Sequence, residues 1–199
     1  MSTASILVAE DHDTAAAPRY SLLLSTDPAL IEAAQRLRYD VFSTEPGFAL
    51  PSAGEADRGG RRGGLDADRF DEHCDHLLVR EDNSGALVGC YRMLPPSGAI
   101  ATGLYTATEF DVHALDSLRP SLVEMGRAVV REGHRNGSVV LLMWAGILAY
   151  LDRCGYDYVA GCVSVPVRGV AEGEAPGSQL RGVRDVVLRR HAAAPQYRV

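Results

Sequence analysis

The chain has 199 residues, of which 46% are hydrophobic and 23% are charged, and its formal net charge is −6. This composition is ordinary for a globular protein of one domain, and the acidic balance argues against a nucleic-acid binder. The sequence contains no lysine, which excludes Schiff-base and P-loop lysine chemistry. The four cysteines lack CxxC spacing and the N-terminus lacks the pattern of a secretory leader, so we expect a soluble, cytoplasmic protein with reduced thiols.

The first third of the chain divides into a tail, a helix and a long loop. We expect residues 1–18 to form a flexible N-terminal tail. Asp27 followed by Pro28 is typical of a helix start, and apolar residues then recur at helical spacing. From 45 to 65 the composition shifts to glycine, proline, serine and arginine, which predicts a long loop.

Strand patterns dominate the middle of the chain. "HLLVRE", the turn "DNSG" and "ALVGCYRML" predict an antiparallel hairpin. "TATEFDVHAL" favours a helix opened by Thr108, with Asp111 completing a capping box. "SLVEMGRAVV" and "YDYVAGCVSV" are typical of buried strands.

The remaining elements are helices and a loop. The apolar run "SVVLLMWAGILAYL" predicts a buried helix that ends at Gly155. A second loop is expected over 166–178, followed by a helix in "QLRGVRDVVLRRH". The order of elements predicts an α+β fold in which one domain, 19–199, has a mixed, mostly antiparallel central sheet flanked by helices.

Charged residues inside apolar strands are the main signal of a site. Glu124 and Arg127 lie in "VEMGRAVV", where burial of either one costs several kcal/mol unless it is paired, and Gly126 between them suggests a β-bulge. Arg92 has a similar position in "GCYRML", and two arginines could bind a carboxylate or phosphate. A structural ion pair, or a solvent-facing side of these strands, would explain the same pattern.

The stretch "FDEHCDHLLV", residues 70–79, contains several potential metal ligands, namely Asp71, His73, Cys74 and His76. It runs into a strand, where neighbouring side chains diverge, and the rest of the sequence has no second Cys/His cluster. No base is evident that would activate Cys74 as a nucleophile. We therefore interpret the stretch as the acidic start of a strand and expect no metal.

Two further basic segments could bind anions. The turn "HRNGS", residues 134–138, precedes the apolar helix, and the free amides at a helix start can hold phosphate oxygens; a plain surface turn is the alternative. The stretch 168–199 has six arginines against three acidic residues, a charge of +3. It would be a solvated helix face, or it would contact an acidic partner or an anionic membrane surface.

Taken in order, these pieces resemble the acyl-carrier-linked branch of the GCN5-related N-acyltransferase superfamily. The resemblance is strongest to the ornithine-lipid-forming N-acyltransferases, often called hemolysin-like, which are related to the acyl-homoserine-lactone synthases. The matching stretches are "LRYDVF", "DADRFDEHCDHLLV", "VGCYRMLP", "YTATEFD", "VEMGRAVV" and "HRNGSVVLLMWAGI". The resemblance implies transfer of a (3-hydroxy)fatty acyl group from acyl carrier protein or acyl-CoA to the amine of an amino acid such as ornithine, in aminolipid biosynthesis.

The resemblance also implies roles for individual residues. Glu124 would accept the proton of the attacking amine, with Arg92 and Arg127 orienting the acceptor's carboxylate. The residues expected to bind the acceptor substrate are Arg38, Phe42, Asp68, Asp71 and His76. The residues expected to bind the donor's phosphate are His134, Arg135, Asn136, Gly137 and Ser138.

The same resemblance implies what the protein binds. No cofactor would be held permanently, since the acyl thioester is a substrate. The expected partners are acyl carrier protein, a small amine and, peripherally, the inner surface of the membrane, but not nucleic acid. Two alternatives stay open: a lactone-forming synthase that uses S-adenosylmethionine, and a non-catalytic module that binds acyl ligands or the carrier protein.

Overall fold

The computed structural model describes residues 5–9, 19–45, 63–165, 167 and 175–199. Their strands form one six-stranded sheet in the order β1-β2-β3-β4-β5-β6, antiparallel throughout except for the parallel pair β5–β6. The strands are β1 (Ser5–Ala9), β2 (Tyr20–Ser25), β3 (Asp75–Glu81), β4 (Leu87–Leu94), β5 (Leu122–Val130) and β6 (Tyr158–Ala160). The α+β fold with a mixed, mostly antiparallel sheet is thus confirmed.

Four α-helices accompany the sheet in the described ranges. They are α1 (Pro28–Phe42), α2 (Pro96–Thr102), α3 (Ser138–Cys154) and α4 (Ser178–Arg190). Short 3₁₀ helices occur at Asp71–His73, Thr106–Thr108, His113–Ser121 and Pro195–Tyr197. The predicted start of α1 is confirmed, because the Asp27 carboxylate accepts hydrogen bonds from the first amides of the helix. None of the described helices is long and apolar enough to cross a bilayer.

The two large helices pack on opposite faces of the sheet. In β3, Leu77 and Val79 belong to the core beneath α3, whereas Leu78 belongs to the core beneath α1. This alternation follows from the two-residue period of a strand. A third buried cluster, which includes Phe70, Cys74 and Leu94, joins the ends of the strands to the 3₁₀ segments.

One expectation for the N-terminal part was wrong. Ser5–Ala9, expected in a flexible tail, forms β1 and pairs antiparallel with β2, so the sheet begins ahead of residue 19. The pairing gives the backbone of this short apolar segment hydrogen-bond partners that the sequence does not reveal. The predicted loop 45–65 lies outside the described residues from 46 to 62, and most of the second loop, 166–178, is likewise outside them.

Three further elements differ from the prediction. "TATEFDVHAL" forms 3₁₀ turns instead of an α-helix: Thr108 Oγ1 donates to the Tyr105 carbonyl, and Asp111 accepts from the His113 amide. The helix α2 was not predicted from the sequence. The strand β6 is short and its Tyr158 is 44% exposed, so it is not the long buried strand expected.

Candidate active site

A β-bulge in the centre of the sheet shapes the candidate site. Cys90 pairs with Val129 and Arg92 with Gly126, so two residues of β5, Arg127 and Ala128, oppose one residue of β4. Arg127 takes a left-handed backbone conformation with φ 54°, and it is the one described non-glycine residue with positive φ. The bulge predicted from the sequence is therefore present, although it is centred on Arg127 and not on Gly126. It redirects the Arg127 side chain toward the acids of 66–71.

The deepest part of the site is an ion pair between α1 and the 3₁₀ helix Asp71–His73. Arg38 Nη2 lies 2.9 Å and 2.8 Å from the two carboxylate oxygens of Asp71. Arg38 Nε donates to Asp66 Oδ2 at 3.1 Å, and Gln35 Nε2 donates to Asp71 Oδ2 at the same distance. Arg38 is 1% exposed and Asp71 is 3% exposed, so these groups are shielded from any substrate.

Arg92 links this pair to the next acid. Its Nη1 lies 2.5 Å from Asp68 Oδ1 and 3.1 Å from Asp71 Oδ1. The guanidinium also lies over the ring of Phe70, 5.5 Å from its centroid, and it is buried. Arg92 is thus paired inside the protein and is not placed to face an acceptor.

The rim of the cluster is more accessible. Arg127 Nε lies 3.6 Å from Asp66 Oδ2, and Arg127 Nη2 lies 4.0 Å from Asp68 Oδ2. The side chain of Arg127 is 29% exposed and that of Asp68 is 13% exposed, which makes them the two most accessible charges of the cluster. Arg127 also lies over the buried ring of Phe42, 5.8 Å from its centroid.

Burial and charge act in opposite directions on this cluster. Burial disfavours the ionised form of Asp71, but the adjacent guanidinium groups of Arg38 and Arg92 outweigh it and lower the pKa of Asp71. Burial likewise opposes the charge of Arg92, yet Asp68 and Asp71 raise its pKa. The three arginines and three aspartates therefore form a balanced network in which each charge depends on its neighbours.

Glu124 is held by the 3₁₀ helix Thr106–Thr108. Its Oε2 accepts from the Tyr105 amide at 2.6 Å, and its Oε1 accepts from the Thr106 amide at 2.7 Å and the Thr106 hydroxyl at 2.5 Å. The residue is 6% exposed. In this arrangement the Glu124 carboxylate attaches the 3₁₀ turn to the sheet. Of the three atoms that donate to Glu124, only Thr106 Oγ1 can also accept a hydrogen bond.

The histidine and cysteine side chains of residues 70–79 do not come together around a single point. His76 is buried and its Nε2 is 3.0 Å from the Asp71 carbonyl oxygen, while Cys74 belongs to the apolar core. Burial raises the pKa of Cys74 to about 12, which suits a structural thiol. Within the described ranges, no three His, Cys, Asp or Glu side chains are grouped so that they could hold a metal ion. His76, expected to contact substrate, instead supports the segment that carries Asp71.

Two side chains of the turn 134–138 form hydrogen bonds within the protein. His134 Nδ1 is 2.9 Å from the Tyr20 hydroxyl oxygen. Arg135 donates to Glu45 Oε1 at 2.5 Å and to the Val130 carbonyl at 2.9 Å. Gly137 has φ 85° and no side chain caps the N-terminus of α3 that follows. Asn136 is exposed and Ser138 is partly exposed, and the amides of the first turn of α3 lack intrahelical acceptors, so an anion could be bound by these groups.

The sheet opens beside Glu124. The strand β6 pairs with β5 only at Leu122–Glu124, and β5 then continues to Val130 paired in the described structure with β4 alone. Gly161 follows β6 closely enough that a Cβ there would lie 2.5 Å from the Met125 carbonyl oxygen. Beyond Glu124, the stretch of β5 that carries the bulge therefore has no strand partner on the β6 side in the described structure, and we call this stretch the opening.

Sequence reasoning missed four residues of the site. Asp66 lies in the same acidic run as Asp68 and Asp71, and its two-residue spacing from Asp68 was an available signal. Gln35 precedes Arg38 by one helical turn, a spacing that places both on one face. Tyr105 and Thr106 gave no signal, because their contact with Glu124 joins segments that are distant in the chain.

The mixed sheet, the bulge in β5 and the adjoining charged cluster form the arrangement expected of the superfamily that the sequence resembles. The Acetyltransferase (GNAT) domain family matches residues 37–145, which is more than half of the chain. The protein therefore belongs to the GNAT acetyltransferase family.

Several curated relatives of the protein share a more specific name. An L-ornithine N(alpha)-acyltransferase from Brucella abortus is 38% identical over 149 residues, which cover 71% of this chain and 51% of that protein. A protein of the same name from Rhodobacter capsulatus is 33% identical over 169 residues, covering 81% of this chain and 63% of that protein. The chain thus spans about half the length of the first curated relatives it matches.

A solved structure supports the fold. The AHL synthase LasI superposes with a TM-score of 0.54 and 16% sequence identity, covering 87% of this chain and 78% of that chain. At this identity the similarity concerns the fold alone.

Proposed function

We propose that this protein is an N-acyltransferase that moves a (3-hydroxy)fatty acyl group from an acyl thioester to the amine of an amino acid such as ornithine. The observation that carries the proposal is the accessible pair of opposite charges, Arg127 and Asp68, beside the opening between β5 and β6. The similarity to proteins named L-ornithine N(alpha)-acyltransferase supports the choice of acceptor.

The rim pair suits a zwitterionic acceptor. Arg127 would bind the carboxylate of the amino acid, since a guanidinium matches a carboxylate with two parallel hydrogen bonds. Asp68 would bind a cationic group, such as the side-chain amine of ornithine. Arg38, Asp71 and Arg92 would not touch the acceptor but would hold the two rim groups in place.

The acyl donor would occupy the opening. Its extended arm would run beside the free edge of β5, and its phosphate would meet the first amides of α3 after Gly137. Both acyl carrier protein and coenzyme A carry a phosphopantetheine arm, so this geometry is compatible with either donor. No permanently bound cofactor is required, because the thioester enters and leaves as a substrate.

The chemistry is aminolysis of the thioester. The amine nitrogen attacks the carbonyl carbon, a C–N bond forms and the C–S bond breaks; the proton that the nitrogen loses passes to Glu124 and then to the departing sulfur, which leaves as a thiol. Glu124 would accept the proton through the Thr106 hydroxyl, whose oxygen can accept from the amine while its own proton passes to Glu124 Oε1. Positioning of amine and thioester would supply much of the rate acceleration.

A direct assay separates this function from its alternatives. The purified protein is incubated with a 3-hydroxyacyl-acyl carrier protein or acyl-CoA, a pool of amino acids and S-adenosylmethionine, and products are identified by mass spectrometry. An N-acyl amino acid is expected, and its identity names the acceptor. A lactone would instead indicate a lactone synthase. Donor binding without any product would indicate a non-catalytic binding module.

The product would be an amphiphile with one acyl chain, which partitions into bilayers. We therefore propose that the protein also makes a peripheral contact with the inner membrane surface. Such a contact would let the product leave the site directly into lipid.

A further inference from the structure

The helix α4 has no buried residue, although five of its 13 residues are leucine or valine. Leu180, Val183 and Val187 recur at helical spacing and are between 39% and 45% exposed. A helix of 13 residues is marginal in water unless its apolar face is covered. The exposed face of α4 therefore requires a partner surface.

The charge of α4 indicates the nature of that surface. Its 13 residues include four arginines and one aspartate, a net charge of +3 on a protein whose formal net charge is −6. The aspartate is already neutralised, because Arg184 Nη2 lies 2.8 Å from Asp185 Oδ1. The helix is thus a basic segment of an acidic protein, and its partner should be anionic.

Most of the aliphatic residues share one side of the helix, namely Leu180, Val183, Val186 and Val187. Arg184 flanks this side, Arg181 and Arg189 lie farther round the helix with Leu188, and Arg190 ends the aliphatic side at the last turn. A surface that takes the apolar stripe and the flanking guanidinium groups together must be apolar inside and anionic at its edge. That description fits the headgroup boundary of a bilayer with anionic lipids.

The segment that follows α4 joins the helix to the rest of the described structure. On its C-terminal side the 3₁₀ helix Pro195–Tyr197 packs near the 3₁₀ helix His113–Ser121. A tethered helix that is exposed along its length can lie flat on a bilayer without unfolding the domain.

We infer that α4 is an amphipathic helix that docks the protein on anionic lipid bilayers. The inference rests on the membrane contact of the proposed function and deepens it, because it assigns that contact to one helix and to anionic lipid; vesicle binding by α4 would stand whichever acceptor the enzyme uses. It commits to lipid and not to an acidic carrier protein, since charge alone would satisfy such a partner and would not explain the exposed aliphatic stripe.

Sedimentation of the full chain with vesicles tests the inference without any activity assay. We expect the protein to bind vesicles of phosphatidylcholine with about one third phosphatidylglycerol, and to bind pure phosphatidylcholine at least tenfold more weakly. Raising the salt concentration from about 0.1 M to 0.5 M should weaken binding, because screening reduces attraction between exposed charges. Absence of binding to the anionic vesicles overturns the inference.

Matched variants locate the binding surface. Val183→Asn with Val187→Asn removes the apolar stripe and should lower the vesicle partition coefficient about tenfold or more. Leu188→Asn changes an aliphatic residue that is 62% exposed on the arginine side, and it should alter partition less than about twofold. Equal effects of the two changes, or none from either, would show that α4 is not the docking surface.

A charge variant completes the test. Arg181→Gln with Arg190→Gln keeps the Arg184–Asp185 pair and should lower binding to anionic vesicles at least fivefold, with little change on neutral ones. Circular dichroism of each variant verifies the fold. If these arginines governed binding to acyl carrier protein while vesicle binding was unchanged, the partner would be a protein and the lipid assignment would be wrong.

Discussion

Arg38 Nη2 lies within 2.9 Å of both carboxylate oxygens of Asp71, and both side chains are buried between α1 and the sheet. Neither group can reach a substrate, so this pair is a scaffold for the rim charges Arg127 and Asp68. The arrangement separates residues that hold the site from residues that are accessible within it.

We expect removal of one member of the buried pair to be costly. Arg38→Leu leaves Asp71 with a buried charge and should lower the free energy of unfolding by about 3–5 kcal/mol. Urea denaturation measures the change. Arg36→Leu is the matched control, because Arg36 pairs with Glu32 at 2.6 Å on the exposed side of the same helix and should cost less than about 1 kcal/mol. Equal costs for the two variants would contradict the structural role of Arg38.

The strained backbone at Arg127 can be separated from the function of its side chain. Arg127→Ala and Arg127→Gly both remove the guanidinium, and they differ only in the Cβ atom at φ 54°. The glycine variant should be more stable than the alanine variant by about 1 kcal/mol, because glycine accepts a left-handed conformation without strain. Thermal unfolding of both proteins checks this, and a more stable alanine variant would argue against the bulge.

The same two variants test the rim pair in catalysis. Under the proposed function, both should raise KM for the amino acid at least tenfold, because both lose the carboxylate ligand, whereas KM for the donor should change much less. Steady-state kinetics with each substrate varied in turn provides the comparison. An unchanged KM for the acceptor would remove Arg127 from the acceptor site.

Glu124 is expected to be needed for turnover. Glu124→Gln should lower kcat about 100-fold or more, since the amide cannot take up a proton and its NH₂ group would face the Tyr105 and Thr106 amides. Glu132→Gln, on the exposed turn after β5, is the control and should leave kcat unchanged. Full activity of Glu124→Gln would exclude it from the mechanism.

Thr106 distinguishes proton transfer from simple anchoring. Thr106→Ser keeps the hydroxyl next to Glu124 and should retain most activity, while Thr106→Val keeps the shape and should lose most of it. The pH profile of kcat should also change for the valine variant if the hydroxyl relays the proton. Equal activity of the two variants would show that Thr106 contributes only packing and that its hydroxyl does not transfer the proton.

The buried imidazole of His76 predicts a pH dependence of stability. Burial lowers the pKa of His76 below its ordinary value of 6.5, so the unfolded chain binds a proton more readily than the folded protein. The stabilisation is complete above about pH 6.5 and is lost as pH falls through the lower folded pKa, with a slope of at most about 1.4 kcal/mol per pH unit. Urea midpoints at pH 7 and pH 5 measure this loss.

Two variants assign the effect. His76→Gln keeps an N–H donor for the Asp71 carbonyl and should flatten the pH dependence between pH 7 and 5. His113→Gln should leave it unchanged, because the His113 side chain is 85% exposed. The lowered pKa of Asp71 acts in a separate window, since its stabilisation is present above the ordinary value of 3.8 and is lost only in stronger acid.

Much of the fold was predictable from local patterns. The helix start at Asp27, the hairpin of β3 and β4, and the end of α3 at Gly155 each depend on residues a few positions apart, and the structure confirms all three. Charged residues in apolar strands likewise identified Glu124, Arg92 and Arg127, because burial of a charge requires a partner. The sequence by itself therefore determined the class of fold and most members of the charged cluster.

Only the tertiary structure decided which charges face each other and which face solvent. The ion pair of Arg38 with Asp71 joins positions 33 residues apart, and the hydrogen bond from Thr106 to Glu124 joins positions 18 residues apart. Local periodicity carries no information at such separations, so the sequence left the buried scaffold, the accessible rim and the role of His76 undistinguished. The strand β1 was missed for the same reason, since an edge strand is defined by its neighbour β2 and not by its own five residues.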